Sequence, residues 1–210
     1  MPARYKRPTA FVLGFHGCSR EVGEAVLAGE AHLVKSDNAY DWLGPGVYFW
    51  EGNPQRAMQF AMDAARRTPH ITQGRIIDPF VLGAIIDLRS CFSLFDSEAL
   101  SELRGAHEAF TTSLDAVGIP VPVNSVGPDR ARRELDCATI NAMHGLRQFA
   151  GASSYDTIRG AFWEGGELYP GSGFSSKGHV QIAVSNLDCI MGYFRPIEGS
   201  PIHLPQRLPT

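Results

Sequence analysis

The spacing of apolar residues predicts a strand and then a helix near the start of the chain. Residues Thr9 to Phe15 have the composition of a strand, which the sequence predicts to end in a turn at residues 16–19. Apolar residues then recur at helical spacing, so we expect a helix over about residues 21–28, with Gly29 as its C-terminal stop.

Similar patterns predict the remaining elements. Asn53 has the character of a helix cap and Pro54 that of a first helical residue. Helices are predicted over residues 54–66, 97–116 and 129–149, the last of them bent near Gly145. Strands are predicted at residues 47–50, 81–88, 155–162, 179–184 and 189–194. Loops rich in turn-forming residues are predicted at 35–46, 118–128 and 164–178. Because helices and strands intermingle without a regular βαβ repeat, the predicted fold class is α+β.

Length and charge narrow the class of protein. The chain is expected to form a single domain over residues 1–210, with a helical insertion at 97–150. The formal net charge of −3 supplies no global basic field, so net charge does not predict a nucleic-acid partner. No window approaches the ~18 apolar residues of a membrane span, so we expect a soluble, cytoplasmic protein.

The four cysteines, Cys18, Cys91, Cys137 and Cys189, are far apart and form no CxxC pair. Metal-ligand spacing is therefore missing, no metal site is predicted, and buried, reduced thiols are expected. A thiol nucleophile at Cys18, activated by His16, is disfavoured because residues two apart on a strand are ~6–7 Å apart.

Two short motifs about thirty residues apart suggest a function. The predicted first strand ends in His16-Gly17-Cys18, and a second strand opens with Gly44-Pro45-Gly46-Val47-Tyr48-Phe49. Between them, Val26-Leu27-Ala28-Gly29 forms a helix end. In this order and spacing the motifs resemble the ADP-ribosyltransferase superfamily, in its poly(ADP-ribose) polymerase and diphtheria-toxin branch. The resemblance covers roughly residues 11–61 and implies the fold of that family, two packed, mostly antiparallel sheets flanked by helices.

The resemblance implies a site for NAD as co-substrate. Its carboxamide needs a donor and an acceptor, which a backbone edge at Gly17 supplies, while His16 would bind a ribose hydroxyl. Tyr48 would stack on the cationic nicotinamide ring, with Phe60 on its second face and the loop from Ser36 to Trp42 over the dinucleotide. The residues implied to contact NAD are His16, Gly17, Cys18, Asn38, Tyr48 and Phe60. Taken alone, His16 would be a turn histidine and Tyr48 a core aromatic; their combination with the glycines favours the NAD site.

A third position of the family pattern departs from its usual residue. Members that are active polymerases carry a Glu on a late strand, and Gln181 stands there in this chain. Glutamine keeps a hydrogen bond to the ribose hydroxyl but lacks the charge that stabilises an oxocarbenium-like centre, a loss on the order of a few kcal/mol. Polymer elongation is therefore not expected, whereas single transfer is. Alternative carboxylates are Glu51, Glu164 and Glu167, for each of which an ordinary surface charge is the favoured interpretation.

The resemblance therefore implies a mono-ADP-ribosyltransferase with His16, Tyr48 and Gln181 as its catalytic residues. The acceptor would be a protein or a nucleic acid, and fold-level analogy suggests a bacterial toxin or defence protein with a possible antitoxin partner. Two alternatives remain open: an NAD glycohydrolase, and a catalytically weak module that binds NAD or ADP-ribose.

Overall fold

The computed structural model describes residues 11–66, 72, 74–126 and 132–197. The helices in these ranges are α1 (Arg20–Leu27), α2 (Pro54–Arg66), α3 (Ser97–Ala116) and α4 (Glu134–Phe149). The strands are β1 (Phe11–Ser19), β2 (Val47–Glu51), β3 (Pro79–Asp87), β4 (Cys91–Ser93), β5 (Asn124–Ser125), β6 (Arg132–Arg133), β7 (Thr157–Phe162), β8 (His179–Val184) and β9 (Ile190–Phe194). A 3₁₀ turn (Leu187–Cys189) precedes β9. The intermingled elements confirm the predicted α+β class.

Seven of the strands form one sheet in the order β4-β7-β8-β2-β1-β3-β9. The β4–β7 pair is parallel and the other pairs are antiparallel. The expectation of two packed sheets is therefore wrong, because β1 and β2 join both halves into one hydrogen-bonded sheet. The short strands β5 and β6 pair separately as a two-stranded ribbon.

The junction between β1 and β2 is short. β1 pairs with β3 along its whole length, but with β2 only at Gly14↔Glu51 and Phe15↔Trp50. On its other edge, β2 continues to pair with β8 from Val47 to Trp50. The sheet thus opens between residues 16–19 of β1 and residues 47–49 of β2, a region we call the central split.

The predicted turn at residues 16–19 is wrong, because β1 continues through these residues. Cys18 and Ser19 still pair with Phe80 and Pro79 of β3, so tertiary pairing overrides the local turn signal. α1 begins at the next residue, and the Ser19 side chain accepts a hydrogen bond from a first-turn amide. Gly29, at a φ of +76°, follows the end of α1 as predicted.

The other predicted helices agree with the structure within a few residues. α2 begins at Pro54, and the Asn53 side chain accepts a hydrogen bond from Arg56 N at 3.0 Å, which confirms the predicted cap. α3 has the predicted bounds, whereas α4 begins only at Glu134. A break near Gly145, which the sequence also allows, is ruled out because α4 is continuous to Phe149. The predicted helix residues 129–131 lie outside the described ranges.

The helices cover both faces of the sheet. Val26 of α1 shares a core cluster with Val47 and Phe49 of β2. Tyr48 and Trp50 point to the opposite face because side chains alternate along a strand. There they join clusters that contain residues of α2, α3 and α4. We refer to these as the α1 face and the α2–α4 face.

Cysteine burial follows this core packing. The free cysteines Cys18, Cys137 and Cys189 are buried, as expected, whereas Cys91 is only partly buried. In the described ranges, no helix combines the length and apolar composition that crossing a membrane requires.

Candidate functional site

The three residues predicted to be catalytic lie on three neighbouring strands. His16 is on β1, Tyr48 on β2 and Gln181 on β8, which are adjacent in the sheet. Phe15, next to His16, pairs with Trp50, and Trp50 pairs in turn with Gln181. The fold therefore brings residues that are up to 165 positions apart to the same level of the sheet, beside the central split. The His16 ring lies on the α1 face, whereas the side chains of Tyr48 and Gln181 point to the α2–α4 face.

His16 bridges the split through its side chain. Its Nδ1 lies 2.8 Å from the carbonyl oxygen of Tyr48. Because a carbonyl only accepts, Nδ1 carries the proton and Nε2 keeps a lone pair. Burial lowers the pKa of His16 more than the bond to Tyr48 raises it, so the neutral form is favoured at physiological pH. The imidazole is thus set up as an acceptor for a hydroxyl group.

The bond from His16 to the Tyr48 carbonyl leaves the backbone N–H and C=O of Gly17 unpaired with β2. Gly52 N donates to Leu13 O, so the backbone groups of Leu13, and of every second residue after it, face β2. Gly17 would be the hydrogen-bonded partner of Tyr48 in an unbroken ladder, but the Tyr48 carbonyl accepts from His16 instead. The N–H and C=O of Gly17 consequently face the split.

Close packing under α2 requires glycine at this position. A Cβ on Gly17 would lie 2.3 Å from the carbonyl oxygen of Ala57. No other residue fits without moving α2, so the sequence motif has a steric cause. Gly17 thus combines a close approach to α2 with a donor and an acceptor turned to the split, which is the pair that a carboxamide requires.

Tyr48 is anchored at both ends of its side chain. Its hydroxyl accepts from Leu43 N at 3.0 Å and donates to Gly44 O at 2.9 Å, which explains the spacing between the glycine turn and the tyrosine. Its ring packs on the α2–α4 face against a buried cluster. Burial raises the pKa of Tyr48 well above its ordinary value, so the hydroxyl stays protonated.

We expect Tyr48→Phe to lower the free energy of unfolding by about 1–2 kcal/mol, because Leu43 N and Gly44 O lose their partner. NAD affinity should change little, since the ring remains. Denaturant unfolding and the KM for NAD measure the two effects. Tyr48→Ala is a poorer test, because losing a buried aromatic ring costs about 3–5 kcal/mol. If Tyr48→Phe abolishes turnover while keeping wild-type stability, the hydroxyl acts on the substrate instead.

Gln181 is oriented by Trp42, which lies 139 positions earlier in the chain. Trp42 Nε1 donates to Gln181 Oε1 at 2.7 Å. Since an indole N–H only donates, this bond fixes the side-chain amide and directs the Nε2 amino group away from Trp42. Gln181 can therefore donate to a ligand oxygen, but its own oxygen is occupied.

The three alternative carboxylates each have a hydrogen-bond partner of their own. Glu51 forms a two-point ion pair with Arg159 on the α1 face, away from Gln181, as strand alternation predicts. Glu164 Oε2 accepts from Arg56 at 2.7 Å, and Glu167 Oε2 accepts from Gly171 N at 2.9 Å. None of them takes over the position of the family's late glutamate.

Two residues predicted to contact NAD have structural partners. The Cys18 side chain is packed in the core of the α1 face, and burial raises the pKa of its thiol to about 11, so it is protonated at neutral pH. Asn38 organises the loop before β2: its backbone N–H donates to Asp41 at 2.7 Å and its side chain donates to Ser36 at 2.8 Å. Both support the site through the backbone they hold.

Phe60 lies against Trp50, with ring centroids 5.0 Å apart. These two rings belong to the cluster under α2, whereas Tyr48 belongs to the cluster under α3 and α4. The structure therefore does not place Phe60 face to face with Tyr48. Trp50, which sequence reasoning overlooked, stands nearer to the split because it pairs with Phe15 and Gln181.

Three further polar groups missed by the sequence analysis lie on this face. Trp50 Nε1, Arg56 Nε and His179 Nε2 are buried and have no hydrogen-bond partner among the described residues. His179 is two residues from Gln181 on β8, and its ring centroid is 6.1 Å from that of Trp50. The lone signal in the sequence was alternation along β8, which puts His179 and Gln181 on one face. Buried polar groups of this kind are typical of ligand sites.

Comparisons of the chain with models of protein families, with curated proteins and with solved structures gave no match in any of the three. Within the described parts of the chain, no group of three or more His, Cys, Asp or Glu side chains is placed to hold a metal ion.

Proposed function

We propose that this protein is a mono-ADP-ribosyltransferase, which cleaves NAD and transfers ADP-ribose to a macromolecule. The observation that carries the proposal is the central split. At this opening Gly17 turns a donor and an acceptor outward, His16 offers an imidazole lone pair, and Gln181 offers an amide N–H. These groups could bind the carboxamide, a ribose hydroxyl and the nicotinamide ribose of NAD.

The proposed chemistry is a dissociative displacement at the anomeric carbon of the nicotinamide ribose. The C–N glycosidic bond breaks and its electron pair leaves with nicotinamide, which becomes neutral. An O–H or N–H group of the acceptor then forms the new bond to carbon and releases its proton. Positioning of NAD by Gly17, His16 and Gln181 supplies the main contribution of the protein.

Gln181 determines whether the proposed site favours single transfer or chain elongation. An amide donor holds the ribose but adds no negative charge beside the cationic transition state. The partners of Glu51, Glu164 and Glu167 support the same conclusion, because none of these three carboxylates is free to replace the missing charge. Single transfer is therefore favoured over chain elongation, and slow turnover is expected.

By analogy with toxins of this superfamily, we infer that the protein acts in the cytoplasm as a toxin or defence protein. An antitoxin partner would then keep it silent in its host. These inferences depend on analogy with the superfamily as a whole rather than on particular residues.

Mass spectrometry of the protein incubated with NAD, with and without cell lysate, tests the proposal. ADP-ribose adducts on lysate components that His16→Asn fails to produce would support it. Free ADP-ribose as the sole product would identify an NAD glycohydrolase, and unchanged NAD a binding module; either result contradicts the proposal.

A further inference from the structure

A cavity of about 420 Å³ lies between α3, α4 and the loop before β2. Trp42 forms one of its walls and also holds Gln181 by the bond to its side-chain oxygen. Across the sheet the order is His16 on β1, then β2, Gln181 on β8, β7 and β4, and Leu94 of the cavity wall directly follows β4. The proposed NAD site and the cavity therefore lie on opposite sides of Gln181, with Trp42 between them.

The cavity wall has the chemistry of a site for a flat, apolar group. Its volume falls in the range of small-ligand pockets, about 300–1,000 Å³. The apolar wall residues are Trp42, Leu94, Leu100, Leu103, Leu135 and Ile140. An indole face among branched aliphatic side chains favours a heteroaromatic ring, which gains both apolar burial and stacking.

The charges that line the cavity favour an anionic ligand. Asp136 is the acidic residue of the lining, and it is neutralised by Arg133 at 3.1 Å while also accepting from Asn124 at 2.8 Å. The Arg133 guanidinium lies over the Phe162 ring at 4.7 Å, next to Trp42. Arg104 takes part in no ion pair with any described residue. Arg104 is therefore the uncompensated positive charge of the lining, and His107 lines the cavity one turn further along α3.

We propose that this cavity receives a base of single-stranded nucleic acid, with a neighbouring phosphate at Arg104. The lining suits a ligand that has an apolar ring next to an anion. An unpaired nucleotide carries both, as its base and its phosphate. A peptide acceptor joins an aromatic side chain to a negative charge only in particular sequences. Combined with the proposed function, on which this step rests, the cavity makes nucleic acid the acceptor of ADP-ribose. A nucleotide N–H or O–H group would lose its proton and bond the anomeric carbon as nicotinamide leaves.

Binding is testable without NAD, by fluorescence anisotropy with labelled, mixed-sequence single-stranded RNA and DNA and a duplex of the same sequence. We expect the single strands to bind more tightly than the duplex. Arg104→Gln and Leu100→Gln should each raise the Kd at least about fivefold, and Arg104→Gln should reduce the salt dependence. Leu100 is 45% exposed, so its replacement leaves the fold intact. Arg66→Gln, an exposed arginine at the end of α2, is the matched control and should stay within about twofold.

Wild-type protein that binds no single strand, or cavity variants that bind as well as wild type, would overturn the proposal. With NAD added, label on the oligonucleotides supports it, and label confined to proteins of a lysate overturns it. Binding through the cavity with NAD left intact supports the nucleic-acid site and contradicts the proposed transferase activity, so the two failures are distinguishable.

Discussion

Replacing His16 by alanine is expected to reduce the rate of NAD turnover about 100-fold, equivalent to about 2.7 kcal/mol of transition-state stabilisation. The imidazole has two functions in the structure, since Nδ1 closes the gap to Tyr48 and Nε2 is left as an acceptor for a ribose hydroxyl. Alanine removes both functions and leaves the Tyr48 carbonyl without its donor.

A second substitution separates the two functions of His16. His16→Asn keeps an amide N–H close to the position of Nδ1, so the bond to Tyr48 and the stability of the fold should survive. It lacks Nε2, so turnover should fall nearly as far as in His16→Ala. His32→Ala, at an exposed histidine after α1, is the control and should match wild type. Near-normal turnover in His16→Asn would show that the imidazole only holds the strands together.

Replacing Gln181 by alanine is expected to lower kcat about 100-fold and to change the KM for NAD by less than about threefold. Its Nε2 amino group is left free to donate to a ribose oxygen, and this bond orients the ribose for departure of nicotinamide. Initial-rate kinetics over a range of NAD concentrations separate the two constants. Unchanged kinetics would mean that another residue holds the ribose.

Adding a negative charge at position 181 is the converse test. In Gln181→Glu, the carboxylate keeps the hydrogen bond from Trp42 and adds the negative charge that the wild type lacks. We expect kcat to rise about tenfold, because a charge beside an oxocarbenium-like centre stabilises the transition state more than the bound substrate. Trp42→Phe, which removes the orienting bond and keeps an aromatic ring, should lower kcat without this gain. A Glu variant slower than wild type would contradict the assigned role of residue 181.

The acceptor shows how the structure changes an expectation based on composition. A net charge of −3 favours no nucleic-acid partner, and the sequence leaves protein and nucleic acid open. The uncompensated positive charge at the cavity is Arg104 on α3, which meets the loop before β2 and the start of α4 only in the fold. A local field of this kind does not appear in net charge, which sums over the whole surface.

Sequence alone determined the elements whose signals are local. The Asn53 cap, the Gly29 stop and the strand at residues 179–184 each depend on residues a few positions apart, and each matches the structure. The turn predicted at residues 16–19 failed because pairing with β3, which no local pattern encodes, extends β1. The single seven-stranded sheet was missed for the same reason, since strand order depends on long-range pairing.

The candidate site also combines residues that the sequence indicates with contacts that only the tertiary structure shows. His16, Gly17 and Tyr48 were recognisable because a short motif has to hold a backbone edge, an imidazole and a glycine turn at fixed spacing. Only the tertiary structure shows that His16 donates to the Tyr48 carbonyl, so that the backbone of Gly17 faces the split. It also shows that Trp42 orients Gln181. These contacts depend on where β1 and β2 separate and on which strands are neighbours. Both are consequences of the packing of the whole chain, so no window of sequence contains them.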